Sequence, residues 1–300
     1  MTKKNILSWV RAIRPFTLIG SVLPVTLGAF FAMRVTSLQA GYFILSLLAI
    51  VLLQAGTNLL NDYDDYNSKV DTIDSHLSSG VIVHKLLKPE EVRLGGIISL
   101  ALGILIGFFI VMHRGIFILI IGVIGALGAF FYTGKPLALK YKGLGAPLVF
   151  LLFGPFMAIG SYYVQAQRVT ISSILVSVPI GLLTTAILHA NDIRDICLDQ
   201  RAGIKTVSII VGESFSHKIY YGLLLGAYAS VILMVIFGTI SYFSLACLIT
   251  IPSAIKCMSK LRKGINQSDG LAYFDKDTAQ LDTMFGVLFV LSILVSNIIR

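Results

Sequence analysis

Charged residues are scarce in this 300-residue chain, since 13% are Asp, Glu, Lys or Arg while 56% are hydrophobic. A soluble globular protein carries about 25% charged residues. The shortage excludes an ordinary soluble domain and indicates an integral membrane protein. The net charge of +9 does not indicate nucleic-acid binding, because the basic residues follow the order of the predicted membrane spans, as described below.

Cysteine is also scarce, and the three cysteines show no C-x-x-C spacing. The five histidines form no pair four residues apart. These absences argue against a metal site built on thiolates or imidazoles. We predict that the cysteines are apolar filler and that His76, His84 and His189 have structural roles.

Long apolar runs dominate what is present. A helix needs about 20 apolar residues to cross a bilayer. Nine segments qualify, and they predict an all-α, multi-pass transmembrane helical bundle forming one membrane domain over residues 1–300. The predicted spans are 16–34, 41–60, 94–112, 115–133, 145–164, 172–190, 219–239, 241–257 and 281–299. Residues 6–15 read as an interfacial amphipathic segment rather than a signal peptide.

The basic residues predict the orientation. All Lys and Arg residues except Arg34, Arg114, Arg168 and Arg300 fall in the N-terminus or loops on one side of the nine spans. Because cytoplasmic loops carry an excess of Lys and Arg, this side is predicted to be cytoplasmic, in a plasma or inner membrane. All 15 acidic residues fall on the same side, although the orientation rule does not require it.

Many of these acids belong to two similar motifs. The first reads Asn61-Asp62-Tyr63-Asp64-Asp65 at the end of the second span, and the second reads Asn191-Asp192-Ile193-Arg194-Asp195 at the end of the sixth. We call residues 58–71 the first acidic motif and residues 191–199 the second. The likeness is a weak internal repeat.

Helical spacing gathers most of these oxygens onto one face. Within each motif four side chains fall in an arc of about 100° on an α-helix. They are Asn58, Asn61, Asp62 and Asp65 in the first motif, and Asn191, Asp192, Asp195 and Asp199 in the second. Asp64 points away, and Asp71 can join only if the helix ends before it.

Hard oxygen ligands of this kind suit Mg²⁺, which takes one or two carboxylates together with substrate phosphate oxygens and water. Solvated helix ends or caps are the simpler interpretation, but a cap uses a single residue. We therefore predict a metal site at the cytoplasmic ends of the spans, with Asp62, Asp65, Asn191, Asp192, Asp195 and Asp199 as ligands.

A bound phosphate group also needs cations and neighbours. The candidates near the motifs are Arg14, Lys85, Lys140, Arg194 and Lys205, with Asn58, Asn61 and Tyr132 as further substrate-binding residues. Each cation could instead serve only as a positive-inside anchor. Aromatic side chains such as Tyr132 could shield a carbocation.

The two motifs and their placement across nine spans resemble the UbiA superfamily of intramembrane aromatic prenyltransferases. The resemblance covers nearly the whole chain, from Arg14-Pro15 to the last span. Within it, the chain is most similar to the branch that prenylates 1,4-dihydroxy-2-naphthoate in menaquinone synthesis. The wide gap from Asp65 to Asp71 and the Asn-Asp-Ile-Arg-Asp of the second motif carry that similarity. Two departures are Ser68-Lys69 in place of Lys-Gly, and His84-Lys85 where an Arg is expected.

The resemblance implies a Mg²⁺-dependent reaction in the lipid bilayer. The acidic motifs would hold Mg²⁺ on the diphosphate of a polyprenyl diphosphate, and an electron-rich aromatic ring would attack the allylic cation. With dihydroxynaphthoate as acceptor, carbon dioxide is lost and demethylmenaquinone forms. Asp71 or Asp199 is the candidate general base, although the diphosphate itself could serve.

Other functions remain open from the sequence. Within the superfamily, 4-hydroxybenzoate, homogentisate, glyceryl phosphate and haem are alternative acceptors. A cation transporter would place its acids near the bilayer midplane, whereas these acids lie at span ends. A CDP-alcohol phosphatidyltransferase would carry a longer Asp-Gly/Ala-Arg signature, which the chain lacks.

Overall fold

We examined the fold in a computed structural model that describes residues 3–68, 79–133, 136–201, 203–264, 271 and 273–299. Every regular element in this part of the chain is helical, which confirms the predicted all-α class. The backbones of Lys142 and Lys205 pair as an isolated bridge outside any strand.

The helices are numbered in chain order. They are α1 (Lys3–Ile13), α2 (Pro15–Ala32), α3 (Ala40–Asn67), α4 (Pro89–Arg114), α5 (Ile116–Thr133), α6 (Gly145–Leu151), α7 (Met157–Ala166), α8 (Ile171–Leu175), α9 (Val178–Arg194), α10 (Ile196–Arg201), α11 (Val207–Val211), α12 (Glu213–Ile236), α13 (Ile251–Gly264) and α14 (Phe274–Ile299). A π-helical turn, Leu152–Phe156, joins α6 to α7. Short 3₁₀ helices cover Leu139–Tyr141 and Tyr242–Thr250.

Within the described residues, eight helical stretches are long and apolar enough to cross a membrane. They coincide with eight of the nine predicted spans, from Pro15–Ala32 at the start to Phe274–Ile299 at the end. The remaining prediction, 115–133, corresponds to a shorter apolar helix, Ile116–Tyr132. The interruption at Pro252 is accommodated because the seventh of these stretches begins as a 3₁₀ helix and continues as α13 from Ile251.

The chain divides into two compact units, which are described separately. Unit 1 comprises Met1–Val22 and Ala40–Ile116. Its centre is the pair α3 and α4, which pack closely because glycines leave room for the opposing backbone. A Cβ atom on Gly56 would lie 2.9 Å from the Gly96 carbonyl oxygen.

The N-terminal helix α1 is amphipathic, as predicted. It exposes Ile6, Leu7 and Val10, and its Trp9 packs against the small core that includes Ala12. An exposed apolar face of this kind suits a helix lying in a membrane interface.

Unit 2 comprises Leu23–Gln39 and Phe117–Arg300 and is built around α9. This helix packs against α6, α12 and α14. The backbones of Gly154 and Gly181 approach so closely that a Cβ atom on Gly154 would lie 2.8 Å from the Gly181 Cα atom. Pro155, which lacks an N–H donor, lies in the π-helical turn at this contact. The second acidic motif therefore lies at the end of the most enclosed helix of its unit.

Candidate active site

Residues 58–67 of the first acidic motif form the C-terminal end of α3, in unit 1. Asp62 is 2% exposed, and its carboxylate pairs with the guanidinium of Arg14 and accepts a hydrogen bond from the Ser79 hydroxyl. Arg14 stands in the short link between α1 and α2 with a left-handed φ of 54°. Asp62, predicted as a metal ligand, and Arg14, predicted to bind phosphate, are thus partners in one buried network.

Asn58 lies one helical turn before Asp62 and is also buried. Its amide nitrogen donates to the Ile13 carbonyl oxygen at 2.9 Å and to the Thr17 hydroxyl at 2.8 Å. The two donor bonds of the Asn58 amide, predicted to bind substrate, are thus directed to Ile13 and Thr17 in this structure. Its donors satisfy the backbone where the chain passes from α1 to α2, which is a structural role.

The other members of the first motif are more open. Asp65 is half-buried, whereas Asn61 and Asp64 are exposed. Helix α3 ends at Asn67, so the helix does terminate before Asp71, as a role for that residue requires. Asp71 itself lies outside the described residues. Asn58 and Asp62, the most buried members of the predicted arc, hold α3 to the α1–α2 link.

The second acidic motif lies where α9 passes into α10, in unit 2. The predicted arc assumed one continuous helix. The structure differs, because α9 ends at Arg194 and Asp195 forms its cap. Even so, the Asp195 N–H donates to the Asn191 carbonyl oxygen and the Asp199 N–H donates to the Asp195 carbonyl oxygen, both at 2.9 Å. The backbone therefore keeps nearly helical spacing across the interruption.

The carboxylates of this motif act on one another and on one lysine. Asp192 is 6% exposed, and Asp195, Asp199 and Lys140 are near enough to interact with it electrostatically. No described residue donates a hydrogen bond to the Asp192 carboxylate. Partial burial raises the pKa of the Asp199 carboxyl; Lys140 opposes this shift, Asp195 adds to it, and Arg194 opposes it. Tyr132, half-buried on α5, lies within electrostatic range of Asp192.

Arg194 is held by two carboxylates. Its Nε and Nη2 atoms donate to the two oxygens of Asp195 at 2.8 and 2.7 Å, and its Nη1 atom lies 2.6 Å from an oxygen of Asp275. Such bidentate pairing fixes the orientation of both groups. Asp275, in the first turn of α14, was missed by the sequence reasoning. Its only sequence signal is its position at the start of an apolar span.

The remaining candidate cations lie on short connections. Lys140 is half-buried in the 3₁₀ helix Leu139–Tyr141. Lys205 is exposed, and its backbone pairs with that of Lys142, two residues after Lys140. Lys85, in unit 1, is exposed with a left-handed φ of 53°. Of these three lysines, Lys140 is the one whose charge acts on carboxylates of the second acidic motif.

A second group that sequence reasoning missed lies just before the motif on α9. The buried ring of His189 hydrogen-bonds to Ser216, whose hydroxyl in turn lies 2.8 Å from that of Ser208. A structural role was predicted for His189, but no sequence pattern indicated its partners, which lie 19 and 27 residues further along the chain.

The donors of the second motif are chemically suited to Mg²⁺. They are hard carboxylate oxygens, and His and Cys ligands are absent from the described cluster. In the described parts of the chain, no three His, Cys, Asp or Glu residues are gathered tightly enough to hold a metal by themselves. Mg²⁺ usually takes only one or two carboxylates and completes its shell with phosphate and water.

The eight long apolar stretches found among the described residues, with acidic motifs at the ends of two of them, define a multi-pass membrane protein. The family is given by comparison with known proteins. The description "UbiA prenyltransferase family" matches residues 21–290, and the chain therefore belongs to that family of enzymes.

Among its relatives, 1,4-dihydroxy-2-naphthoate octaprenyltransferase of Bacillus subtilis (strain 168) is 30% identical over 286 residues, covering 94% of this chain and 91% of the relative. UbiA prenyltransferase domain-containing protein 1 of Homo sapiens is 29% identical, covering 96% of this chain and 84% of the relative.

Solved structures share the fold. A digeranylgeranylglyceryl phosphate synthase aligns with a TM-score of 0.65 and 20% identity, covering 99% of both chains. A UbiA homologue from Archaeoglobus fulgidus, determined with DMAPP and Mg²⁺ bound, aligns with a TM-score of 0.59 and 17% identity, covering 94% of this chain and 99% of that one. At these identities the likeness shows the helical fold.

Proposed function

We propose that this protein transfers a polyprenyl group from polyprenyl diphosphate to 1,4-dihydroxy-2-naphthoate, releasing diphosphate and carbon dioxide. The observation that carries the proposal is the second acidic motif, where Asp192 and Asp199 each lie within electrostatic range of both Lys140 and Asp195. Carboxylates that share a site with a lysine suit a divalent metal bound to a phosphorylated substrate. The Bacillus subtilis relative supports the choice of acceptor.

In this proposal, Asp192, Asp195 and Asp199 are oxygen ligands for Mg²⁺, together with Asn191. Bound Mg²⁺ would supply Lewis-acid stabilisation of the charge that develops on the leaving diphosphate. Asp65 of the first motif is also proposed as an oxygen ligand for Mg²⁺. Asp62 would have to exchange its partners Arg14 and Ser79 to become a ligand.

The basic residues of unit 2 have two different roles. Lys140 presents positive charge to the diphosphate, with Lys205 on the neighbouring connection. Arg194 has both sides of its guanidinium occupied by Asp195 and Asp275, so its main effect is to orient Asp195. Electrostatic stabilisation by groups already in place is the usual source of rate enhancement.

In the reaction itself, the bond between the prenyl carbon and the diphosphate oxygen breaks, and the electron pair leaves with the diphosphate. The acceptor ring then forms the new carbon–carbon bond and loses its carboxyl group as carbon dioxide. Any proton released is proposed to pass to Asp199 or Asp71, or to diphosphate. The excess of Lys and Arg in the loops on one side of the spans supports a cytoplasmic active site with a cytoplasmic N-terminus.

The test uses membranes that contain the protein, a labelled polyprenyl diphosphate, and either dihydroxynaphthoate or 4-hydroxybenzoate, with Mg²⁺ or with EDTA. We expect Mg²⁺-dependent prenylation of dihydroxynaphthoate with release of carbon dioxide. Membranes containing the Asp195→Asn variant provide the matched control for background activity.

The other outcomes separate the parts of the proposal. Prenylation of 4-hydroxybenzoate alone would keep the reaction class and overturn the acceptor. Equal transfer in EDTA would overturn the metal requirement. Transfer to neither acceptor would overturn the proposed substrate pair.

A further inference from the structure

A buried chain of hydrogen bonds joins three helices of unit 2. The Nε2 atom of His189, on α9, lies 2.9 Å from the backbone oxygen of Ser216 and 3.0 Å from its hydroxyl, at the start of α12. The Ser216 hydroxyl lies 2.8 Å from that of Ser208 on α11. All three residues are at most 1% exposed. Because a carbonyl oxygen can only accept, His189 must carry its hydrogen on Nε2.

The segment that this chain holds cannot fix its own position. Helix α11 has five residues, far fewer than the roughly 12 that an isolated helix needs for stability. It is bracketed by Gly203 and Gly212, whose φ angles of 70° and 79° lie in the region that favours glycine. The placement of residues 204–211 therefore depends on contacts with other elements, and the bond from Ser208 is one of them.

The same segment is attached to a cationic loop. Lys205 pairs through its backbone with Lys142, and the side chain of Ile210 packs on Gly143 so closely that a Cβ atom there would lie 2.5 Å from Ile210 Cδ1. Residues 204–211 and the loop at 138–143 thus pack against each other. That loop carries Lys140, whose charge acts on Asp192 and Asp199.

We infer that His189, Ser216 and Ser208 are positioning residues. They set the distance between the second acidic motif and two lysines, Lys140 in the loop at 138–143 and Lys205 in the segment 204–211. His189 lies three residues before Asp192 on the same helix, so the network fixes the segment relative to the helix that carries the acids. This inference rests on the proposed function, in which Lys140 and Lys205 bind the diphosphate. None of the three residues is assigned a contact with substrate.

A positioning role differs from simple core packing in what its loss changes. Misplaced cations should weaken binding of the diphosphate and leave binding of the aromatic acceptor unchanged, whereas a general loss of packing should affect both. The chain offers a matched control in Ser292, a buried residue whose hydroxyl bonds to that of Ser244 at 3.0 Å. Ser208→Ala and Ser292→Ala each remove one buried bond between hydroxyls, and Ser292→Ala also removes the bond to the Phe289 carbonyl oxygen.

The experiment compares wild-type protein with His189→Leu, His189→Gln, Ser208→Ala and Ser292→Ala, each purified into lipid nanodiscs. The KM for farnesyl diphosphate, the KM for dihydroxynaphthoate, the inhibition constant of inorganic diphosphate and the Tm are measured for each. We expect His189→Leu to raise the KM for farnesyl diphosphate and the inhibition constant about tenfold, since it leaves buried acceptors unpaired. Ser208→Ala should raise both about threefold.

The conservative variant supplies the decisive comparison. The side-chain nitrogen of Gln can donate to the Ser216 carbonyl as Nε2 of His189 does, so His189→Gln should return both constants to within about threefold of wild type. Ser292→Ala should lower the Tm about as much as Ser208→Ala and leave both constants unchanged.

Contrary results are easily recognised. Unchanged diphosphate constants in His189→Leu, equal loss of acceptor binding, or the same shift in Ser292→Ala would each overturn the positioning role. If the wild-type protein transfers no prenyl group, the proposed function fails. If it transfers and the variants behave as wild type, only the positioning role fails.

Discussion

The two acidic motifs have nearly the same letters and different surroundings. In the first, Asp62 is tied to Arg14 and Ser79, so part of the motif stabilises the α1–α2 link. In the second, Asp192 is buried to a similar degree without a hydrogen bond from any described residue, and it has Lys140 nearby. Two similar sequence motifs can therefore differ in how much they contribute to stability and how much to binding, because their contacts are made by residues from distant parts of the chain.

The largest expected effect tests what the motifs share. Asp65→Asn and Asp195→Asn should each lower prenyl transfer by at least about a hundredfold, because each removes a charged oxygen ligand from the metal. Turnover is measured in membranes with equal amounts of inserted protein. Rates like those of the wild type in both variants would contradict the metal-site hypothesis.

A second prediction tests how the motifs differ in stability. Asp62→Asn should lower the free energy of unfolding by about 3 kcal/mol, because Arg14 is left beside a neutral group. Asp192→Asn should change it by less than about 1 kcal/mol, since no described hydrogen bond is lost. Thermal unfolding in nanodiscs measures both. Equal losses would show that the two acids have the same structural weight.

The asparagines of the first motif sharpen the same comparison. Asn58→Ala should destabilise the protein by about 2 kcal/mol, because the Ile13 carbonyl and the Thr17 hydroxyl lose their donor. Asn61→Ala, at an exposed position on the same helix, should leave stability within about 0.5 kcal/mol. A Tm loss confined to Asn61→Ala would reverse the assignment of roles.

The cations of the second motif provide a smaller contrast. Among the described residues Lys140 forms no ion pair, whereas Arg194 forms two. Lys140→Gln should raise the KM for the prenyl donor about tenfold, and Arg194→Gln should raise it about threefold while lowering the Tm. Steady-state kinetics at fixed acceptor concentration measure the difference. A larger donor effect in Arg194→Gln would make Arg194 the main phosphate ligand.

The last prediction concerns the orientation of the two motifs in the membrane. Cys197 is an exposed native thiol within the second motif, while Cys247 and Cys257 are buried. A membrane-impermeant thiol reagent should modify Cys197 from the cytoplasmic side only. The variant Val70→Cys, made together with Cys197→Ser, should show the same sidedness for the first motif. Modification from the outer side at either position would contradict the predicted topology.

The long apolar runs of the sequence were enough to predict an integral membrane protein and the positions of its spans. Runs of about 20 apolar residues cannot be accommodated otherwise, so the predicted span 145–164 and the observed Gly145–Ala166 agree closely. The family could be recognised for a related reason, because a metal and a phosphate require many oxygen ligands at fixed spacing, and such spacing is visible along a helix. The local period of a helix is a property of neighbouring residues alone.

Helix packing sets which carboxylate oxygens form contacts and which side chains they contact. Asp275 meets Arg194 across 81 positions of the chain, and Ser79 meets Asp62 across a connection whose path no local pattern specifies. The pairing of His189 with Ser216 and Ser208 is of the same kind. These contacts depend on how helices pack side by side, and packing is set by the shape of whole faces rather than by the order of letters within one helix.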